Sequence, residues 1–228
     1  MSIAENYATV RRRIEAACER ANREPSSVQL VAVTKYAPMD AVRELVALGQ
    51  RALGESRPQQ LLERATLLDA SSVSWHLIGH LQRNKARKLL PVASLVHSID
   101  SLRLLAAIDR LAEELSLRPR VLLEVNVSGE ASKHGFSPDE LRSAWKEVAA
   151  VNHLEIAGLM TMAPYSEDPE AARPVFRKLR KFRDELASAG PLILPELSMG
   201  MSGDFEVAIE EGATIVRVGS SLFEEAPN

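Results

Sequence analysis

The chain has 228 residues, 46% of them hydrophobic and 26% charged, and its 28 Lys and Arg against 31 Asp and Glu leave a net charge of −3. That near balance gives no electrostatic case for nucleic acid or an anionic membrane as a partner. Cys18, the only cysteine, excludes an internal disulfide and a cysteine zinc cluster, so a reducing cytoplasm is the expected setting.

Residues Met1 to Asn22 alternate charged and apolar positions without a long apolar core, so neither a signal peptide nor a membrane anchor is expected. Within them Tyr7, Val10, Ile14, Cys18 and Ala21 recur at three- and four-residue steps, the stripe of an amphipathic helix, with Arg11 to Arg13 on its solvated face and Cys18 as inert packing. Val28 to Lys35 follows as an apolar, β-branched run with little alternation, as a parallel strand covered on both faces requires. Pro38, Val42, Leu45 and Val46, with Gly49 behind them, predict a helix and its stop. The alternation then repeats. Strand-like runs lie at Arg51 to Leu53, Trp75 to Ile78, Leu95 to Ile99, Val121 to Val127, Glu155 to Met160, Glu196 to Met199 and Thr214 to Val218. Helical stretches lie at Arg57 to Leu67, Lys85 to Leu90, Leu102 to Leu115, Ser137 to Val151, Glu170 to Ala189 and Asp204 to Glu211. Ser137-Pro138-Asp139-Glu140 combines an N-cap serine, a proline at the first helical position and a glutamate placed for a capping box. Pro174 predicts that the stretch from Glu170 starts late or bends.

Eight strands, most of them separated by one helix, predict an α/β fold: a single (β/α)8 TIM-type barrel with an extra N-terminal helix, residues 1–228 forming one domain. No GxGxxG follows the first strand, which argues against an open dinucleotide-binding sheet. Past the eighth strand Gly219 to Asn228 suffice for about two helical turns at most, so the first helix is expected to cover the wall that a full eighth helix would cover.

In such a barrel the chemistry belongs at the carboxyl ends of the strands. Lys35 directly ends a fully apolar run, whereas Lys88, Lys146, Lys178 and Lys181 lie in polar helical contexts. A lysine buried there has its ammonium disfavoured, which frees the amine to form an imine with an aldehyde; the alternative is a head group that reaches solvent at the rim. Ser198 to Asp204 and Arg217 to Ser221 are rich in small and hydroxyl residues and follow strands seven and eight, where barrels commonly hold a phosphate. An imine-forming amine opposite a phosphate cup describes a pyridoxal phosphate site. His76 and His80 have a helical spacing although His76 reads as strand, so no metal pair is expected. His97 reads as a hydrogen-bonded core or rim residue, and Met160, Met162, Met199 and Met201 as packing for the upper barrel and the cofactor's apolar face.

Val31-Ala32-Val33-Thr34-Lys35, Trp75 to Lys85, His97 to Ser101, Val125 to Ser128, Gly158 to Pro164, Leu197 to Asp204 and Arg217-Val218-Gly219 resemble the pyridoxal phosphate homeostasis proteins, the YggS or PROSC family, nearly end to end. That family is similar to the N-terminal barrel of alanine racemases and has no well-established catalytic activity. The resemblance implies pyridoxal 5′-phosphate as cofactor, Lys35 as the Schiff-base lysine, Ser202, Gly219 and Ser220 on the phosphate, and Arg217 facing the pyridine nitrogen. Gly54-Glu55-Ser56 stands where the family commonly has Gly-Glu-Asn, so a polar contact from Ser56 to the ring is expected to be shortened or replaced by water. Phe223-Glu224 stands where Phe-Gly is usual.

A cation beside the pyridine nitrogen weakens the ring as an electron sink, which argues against aminotransferase chemistry. Racemisation needs proton donors on both faces of the substrate. Alanine racemases draw the second from a tyrosine of a further β domain; here the chain ends at Asn228, and no motif aims Tyr7, Tyr36 or Tyr165 at the ring. The expectation is a cytoplasmic, monomeric protein that buffers the cofactor or delivers it to apo-enzymes. A weak racemase-like enzyme, or a phosphosugar barrel in which Lys35 makes its imine with substrate, are the alternatives.

Overall fold

The computed structural model describes residues 2–130 and 134–223, so Glu224 lies outside the described residues. Eight parallel strands close into a barrel in chain order: β1 (Gln29–Val33), β2 (Ala52–Glu55), β3 (Ser74–Leu77), β4 (Ala93–Ile99), β5 (Arg120–Glu124), β6 (Glu155–Met160), β7 (Glu196–Ser198) and β8 (Ile215–Val218). The ring closes through β1 and β8, which pair from Gln29 with Ile215 to Ala32 with Val218. Around it run α1 (Ile3–Arg20), α2 (Met39–Ala47), α3 (Pro58–Ala65), α4 (Arg83–Leu89), α5 (Leu102–Glu114), α6 (Pro138–Ser143), α7 (Trp145–Val148), α8 (Arg173–Ser188), α9 (Phe205–Glu210) and α10 (Ser220–Phe223).

Each strand is covered twice, which is why the runs are apolar rather than alternating. Val31, Ala52, Leu95, Leu122, Ala157, Met160 and Ile215 fill the barrel's inside, and a larger apolar layer lies between strands and helices. On β6, Ala157 is an extra residue between the pairs Val121 with Ile156 and Leu122 with Gly158, a bulge that brings β6 hard against β7. A Cβ on Gly158 would stand 1.9 Å from the Glu196 carbonyl oxygen, so only glycine fits there.

The capping box of Ser2 and Glu5 opens α1, which packs on α2, α9 and α10 through Val10, Ile14, Ala17 and Cys18. Because α9 and α10 are short, α1 supplies the missing wall, as expected. Arg13 is not simply solvated: its Nε lies 2.6 Å from Glu206 Oε1 and its guanidinium stacks 4.6 Å over the Phe205 ring, tying α1 to α9.

Three boundaries differ from the sequence expectation or refine it. The stretch from Ser137 to Val151 is two helices, broken at Ala144 (φ −90°, ψ 3°), although the capping box at Ser137 forms. The stretch from Glu170 begins with a 3₁₀ turn, Pro169–Ala172, and α8 starts late, with Pro174 in its first turn where a missing N–H costs nothing. Finally, β1 ends at Val33. The Thr34 N–H still donates to Gly54 O (2.9 Å), but the Ala37 N–H then donates back to Thr34 O (2.9 Å). That turn throws Lys35 and Tyr36 outward, so Lys35 is exposed rather than buried at the strand end. No helix among the described residues is long and apolar enough to cross a membrane.

Candidate functional site

The exposed Lys35 stands on a braced turn. From α3, Gln60 Nε2 donates to Lys35 O (2.8 Å) and Arg64 Nη2 to Ala37 O (2.7 Å). Arg64 Nε also lies 3.2 Å from Glu55 Oε1 at the end of β2, and the same oxygen accepts the Thr34 hydroxyl proton at 2.5 Å. Burial pushes the Glu55 carboxyl up from its ordinary range; the Thr34 hydrogen bond, Arg64 and Lys35 oppose that rise. Sequence reasoning noted Glu55 only as part of the turn after the second strand and missed Gln60 and Arg64, since periodicity alone gives Arg64 as one more helical surface charge. Lys35 Nζ itself lies 5.0 Å from the Tyr36 ring centre.

Beside this turn lies a second cluster of backbone donors. Gly200 after β7 has φ +93°, and a Cβ there would come within 2.6 Å of the Ala208 side chain. This left-handed glycine lets the chain turn back, and Gly200 O accepts the Arg217 N–H (3.0 Å). Ser202 Oγ then accepts the N–H groups of Gly219 (3.1 Å) and Ser221 (3.4 Å), while Asp204 Oδ1 takes the Met201 N–H (2.6 Å). A Cβ on Gly219 would meet Val33 Cβ and O at 3.3 Å, so the absence of a side chain lets the end of β8 pack on the end of β1, two residues from Lys35. The structure therefore brings Lys35, Ser202, Gly219 and Ser220 to one side of the mouth. Ser221, which sequence reasoning passed over within the cluster, bonds Ser202; Ser220 is exposed at the start of α10.

Beneath the mouth runs a buried polar chain. Arg217 Nη1 donates to Ser198 Oγ (2.6 Å) and Nη2 to Thr161 O (3.0 Å). Ser198 Oγ lies 2.8 Å from His97 Nδ1, and His97 Nε2 2.9 Å from His76 Nδ1. Arg217 can only donate, so Ser198 Oγ accepts from it and still has a proton and a second lone pair to meet His97 Nδ1, while a single hydrogen is shared between His97 Nε2 and His76 Nδ1. Burial holds His76 down to about 4 and His97 well below its ordinary value, so both rings are neutral at pH 7. Burial lowers Arg217 to about 10 while Asp204 and Glu124 hold it up, which leaves it charged at neutral pH.

Met199 is buried under the β7 turn, and Ser56 is half-buried at the end of β2, where a Cβ on Gly79 would stand 2.2 Å from its carbonyl oxygen. Met160 is buried as expected, but Met162 and Met201 are each 37% exposed on the rim. Both lie past the ends of their strands, where neither the barrel interior nor the helical layer covers them.

The chain matches the alanine racemase N-terminal domain family over residues 3–227. It is 43% identical over 225 residues to the pyridoxal phosphate homeostasis protein of Aquifex aeolicus, covering 99% of each chain. This chain belongs to the pyridoxal phosphate homeostasis protein family. The human member is 38% identical over 232 residues, covering 95% of this chain and 84% of that protein. Among solved structures of such relatives, PipY of Synechococcus elongatus, determined with PLP bound, is 38% identical with a TM-score of 0.84, covering 97% of this chain and 100% of that one. Alanine racemase of Clostridium difficile, at 14% identity and a TM-score of 0.72, shares the barrel over 96% of this chain and 60% of its own.

Proposed function

We propose that this homeostasis-family member holds pyridoxal 5′-phosphate at the barrel mouth and buffers it inside the cell for delivery to apo-enzymes, without robust catalysis. The observation that carries this is the close approach of Gly219 to Val33, where an added Cβ would meet Val33 at 3.3 Å, so that the donor-rich turn after β8 stands next to the turn of Lys35. The donor set fits the group: the backbone N–H groups of Gly219 and Ser221 converge on one point at Ser202 Oγ, and the Ser221 hydroxyl reaches Ser202 O at 3.5 Å beside it. Solved PipY with PLP bound is a relative at 38% identity, which supports the same ligand here.

When bound, the cofactor supplies an electrophilic aldehyde on a conjugated ring. Lys35 would supply the amine that holds this aldehyde. Ser202, Gly219 and Ser220 would hold the phosphate, and Met199 and Ser56 would line the ring. Arg217, kept in place by Ser198 and Thr161, would bring a positive charge toward the pyridine nitrogen and oppose its protonation. A ring kept in that state is a weak electron sink, which suits storage over turnover.

Borohydride reduction of the purified protein followed by peptide mass mapping is expected to place a pyridoxyl group on Lys35, and Lys35→Ala is expected to be colourless. The double variant Ser202→Ala with Ser220→Ala is expected to retain cofactor about tenfold less well, the worth of one charge-assisted hydrogen bond. A pyridoxyl group on another lysine would overturn the assignment of Lys35. Loss of α-deuterium from labelled alanine at enzyme-like rates would replace storage with racemase chemistry.

A further inference from the structure

Across the mouth from the phosphate cup, the ends of β3, β4 and β5 bring together side chains that the proposed cofactor site does not use. His80 follows β3, Asp100 follows β4, and His134 lies in the connection from β5 to α6. One donor atom from each lies within 4.8 Å of the other two. His80 Nδ1 is 3.1 Å from Asp100 Oδ2, and the two imidazoles stack with centres 5.3 Å apart and 28° between their planes. We propose that His80, Asp100 and His134 form a site for a divalent transition metal ion of the zinc or cobalt class.

The grouping is built into the barrel. Phe136 N–H donates to Glu124 O (2.8 Å) and Asn126 N–H to Phe136 O (2.9 Å), so the far end of the connection zips onto the end of β5. Gly135, at φ +112°, packs its α-carbon so closely that a Cβ would be 2.9 Å from Glu124 O. His134, the residue before it, is thereby held over the mouth. Asp100 is oriented too: the Ser101 hydroxyl donates to Oδ1 (3.0 Å), which leaves Oδ2 for the histidines. A ligating carboxylate fixed by an outer hydrogen bond is the arrangement that tunes protein metal sites.

The donor set selects the ion. Two imidazoles and one carboxylate suit zinc, cobalt or nickel, whereas magnesium and calcium require oxygen-rich shells. Three protein ligands leave a coordination position for solvent, and His80 and Asp100 open onto a cleft of about 410 Å³ whose wall also carries Gln82, Asn84, Arg83 and Arg103.

The test is titration of the full-length chain, stripped with chelator, with Zn²⁺ by calorimetry and with Co²⁺ by visible absorption. It is repeated in Lys35→Ala so that metal bound through retained cofactor does not contribute. One ion per chain is expected, with no response to Mg²⁺. His80→Ala, Asp100→Asn and His134→Ala should each weaken binding about tenfold or more. His153→Ala, at a histidine that faces Asp109 and Glu113 near the start of β6, should leave it unchanged. His80 and His134 are exposed, so their variants are expected to melt like the parent in chelator. Unchanged Zn²⁺ binding in the His80→Ala, His134→Ala double variant, or no saturable binding by the parent, overturns the site.

Discussion

Between pH 7 and pH 4.5 the barrel is expected to lose about 2.5 kcal/mol of stability through His76 alone, and His76→Gln is expected to remove that loss. The unfolded chain has an ordinary histidine at 6.5, whereas burial holds His76 at about 4 in the native state. Between those values the unfolded state binds more protons, so stability falls as the pH drops through the window and is fully lost below about 4. His97 acts with the same sign. Only one hydrogen fits between His97 Nε2 and His76 Nδ1, so charging both rings would set two N–H groups against each other. Glu55, Glu124 and Asp204, whose carboxyls burial pushes up, act in the opposite direction, so the total profile is a sum. Urea denaturation of parent and variant at each pH isolates His76. Parallel profiles would show that His76 is not neutral in the native barrel.

What the residues disclosed and what they concealed divide along physical lines. The strands were legible because double coverage forces apolar, β-branched runs, and β2 to β8 lie within a few residues of where hydrophobicity places them. The late start of α8 was legible from Pro174, since a proline constrains the backbone wherever it stands. The small residues after β7 and β8 pointed to a donor-rich turn, because Gly200 and Gly219 answer a steric demand. The exposure of Lys35 was not legible: it depends on one backbone bond from Ala37 to Thr34, and an apolar run ending in lysine reads alike either way. Nor was the chain from His76 to Arg217, whose His97 and Ser198 are 101 residues apart and meet only when the barrel closes. His80 was weighed against His76, its neighbour in sequence, while its neighbours in space are Asp100, just past β4, and His134, in the connection from β5 to α6.

The Glu55–Arg64 pair is the other place where a single change is expected to cost most. Arg64→Ala should destabilise the chain by about 3 kcal/mol at pH 7, as removal of one partner of a buried ion pair does. Both groups are nearly inaccessible, with side chains 0% and 10% exposed, and Glu55 Oε2 and Arg64 Nη1 have no hydrogen-bond partner among the described residues. The pair thus lacks the full set of bonds that would offset its desolvation, and Arg64 joins the Thr34 hydrogen bond in favouring the charged form of Glu55 against its burial. Without Arg64 the Glu55 carboxyl rises further above its unfolded value. The native state then binds more protons than the unfolded one over a wider window, so stability falls more steeply as pH rises. The cost of Arg64→Ala should therefore shrink by about 1 kcal/mol when measured at pH 5 instead of pH 7, and adding Glu55→Gln should recover part of it at pH 7. A cost that stays constant with pH would assign the effect to lost packing and to the freed Ala37 carbonyl alone. The distinction bears on function because the same guanidinium braces the turn that presents Lys35. If Arg64 acts mainly as the counter-charge of Glu55, the glutamine variant restores stability but leaves the turn unbraced, so stability and Lys35 reactivity separate in the double variant.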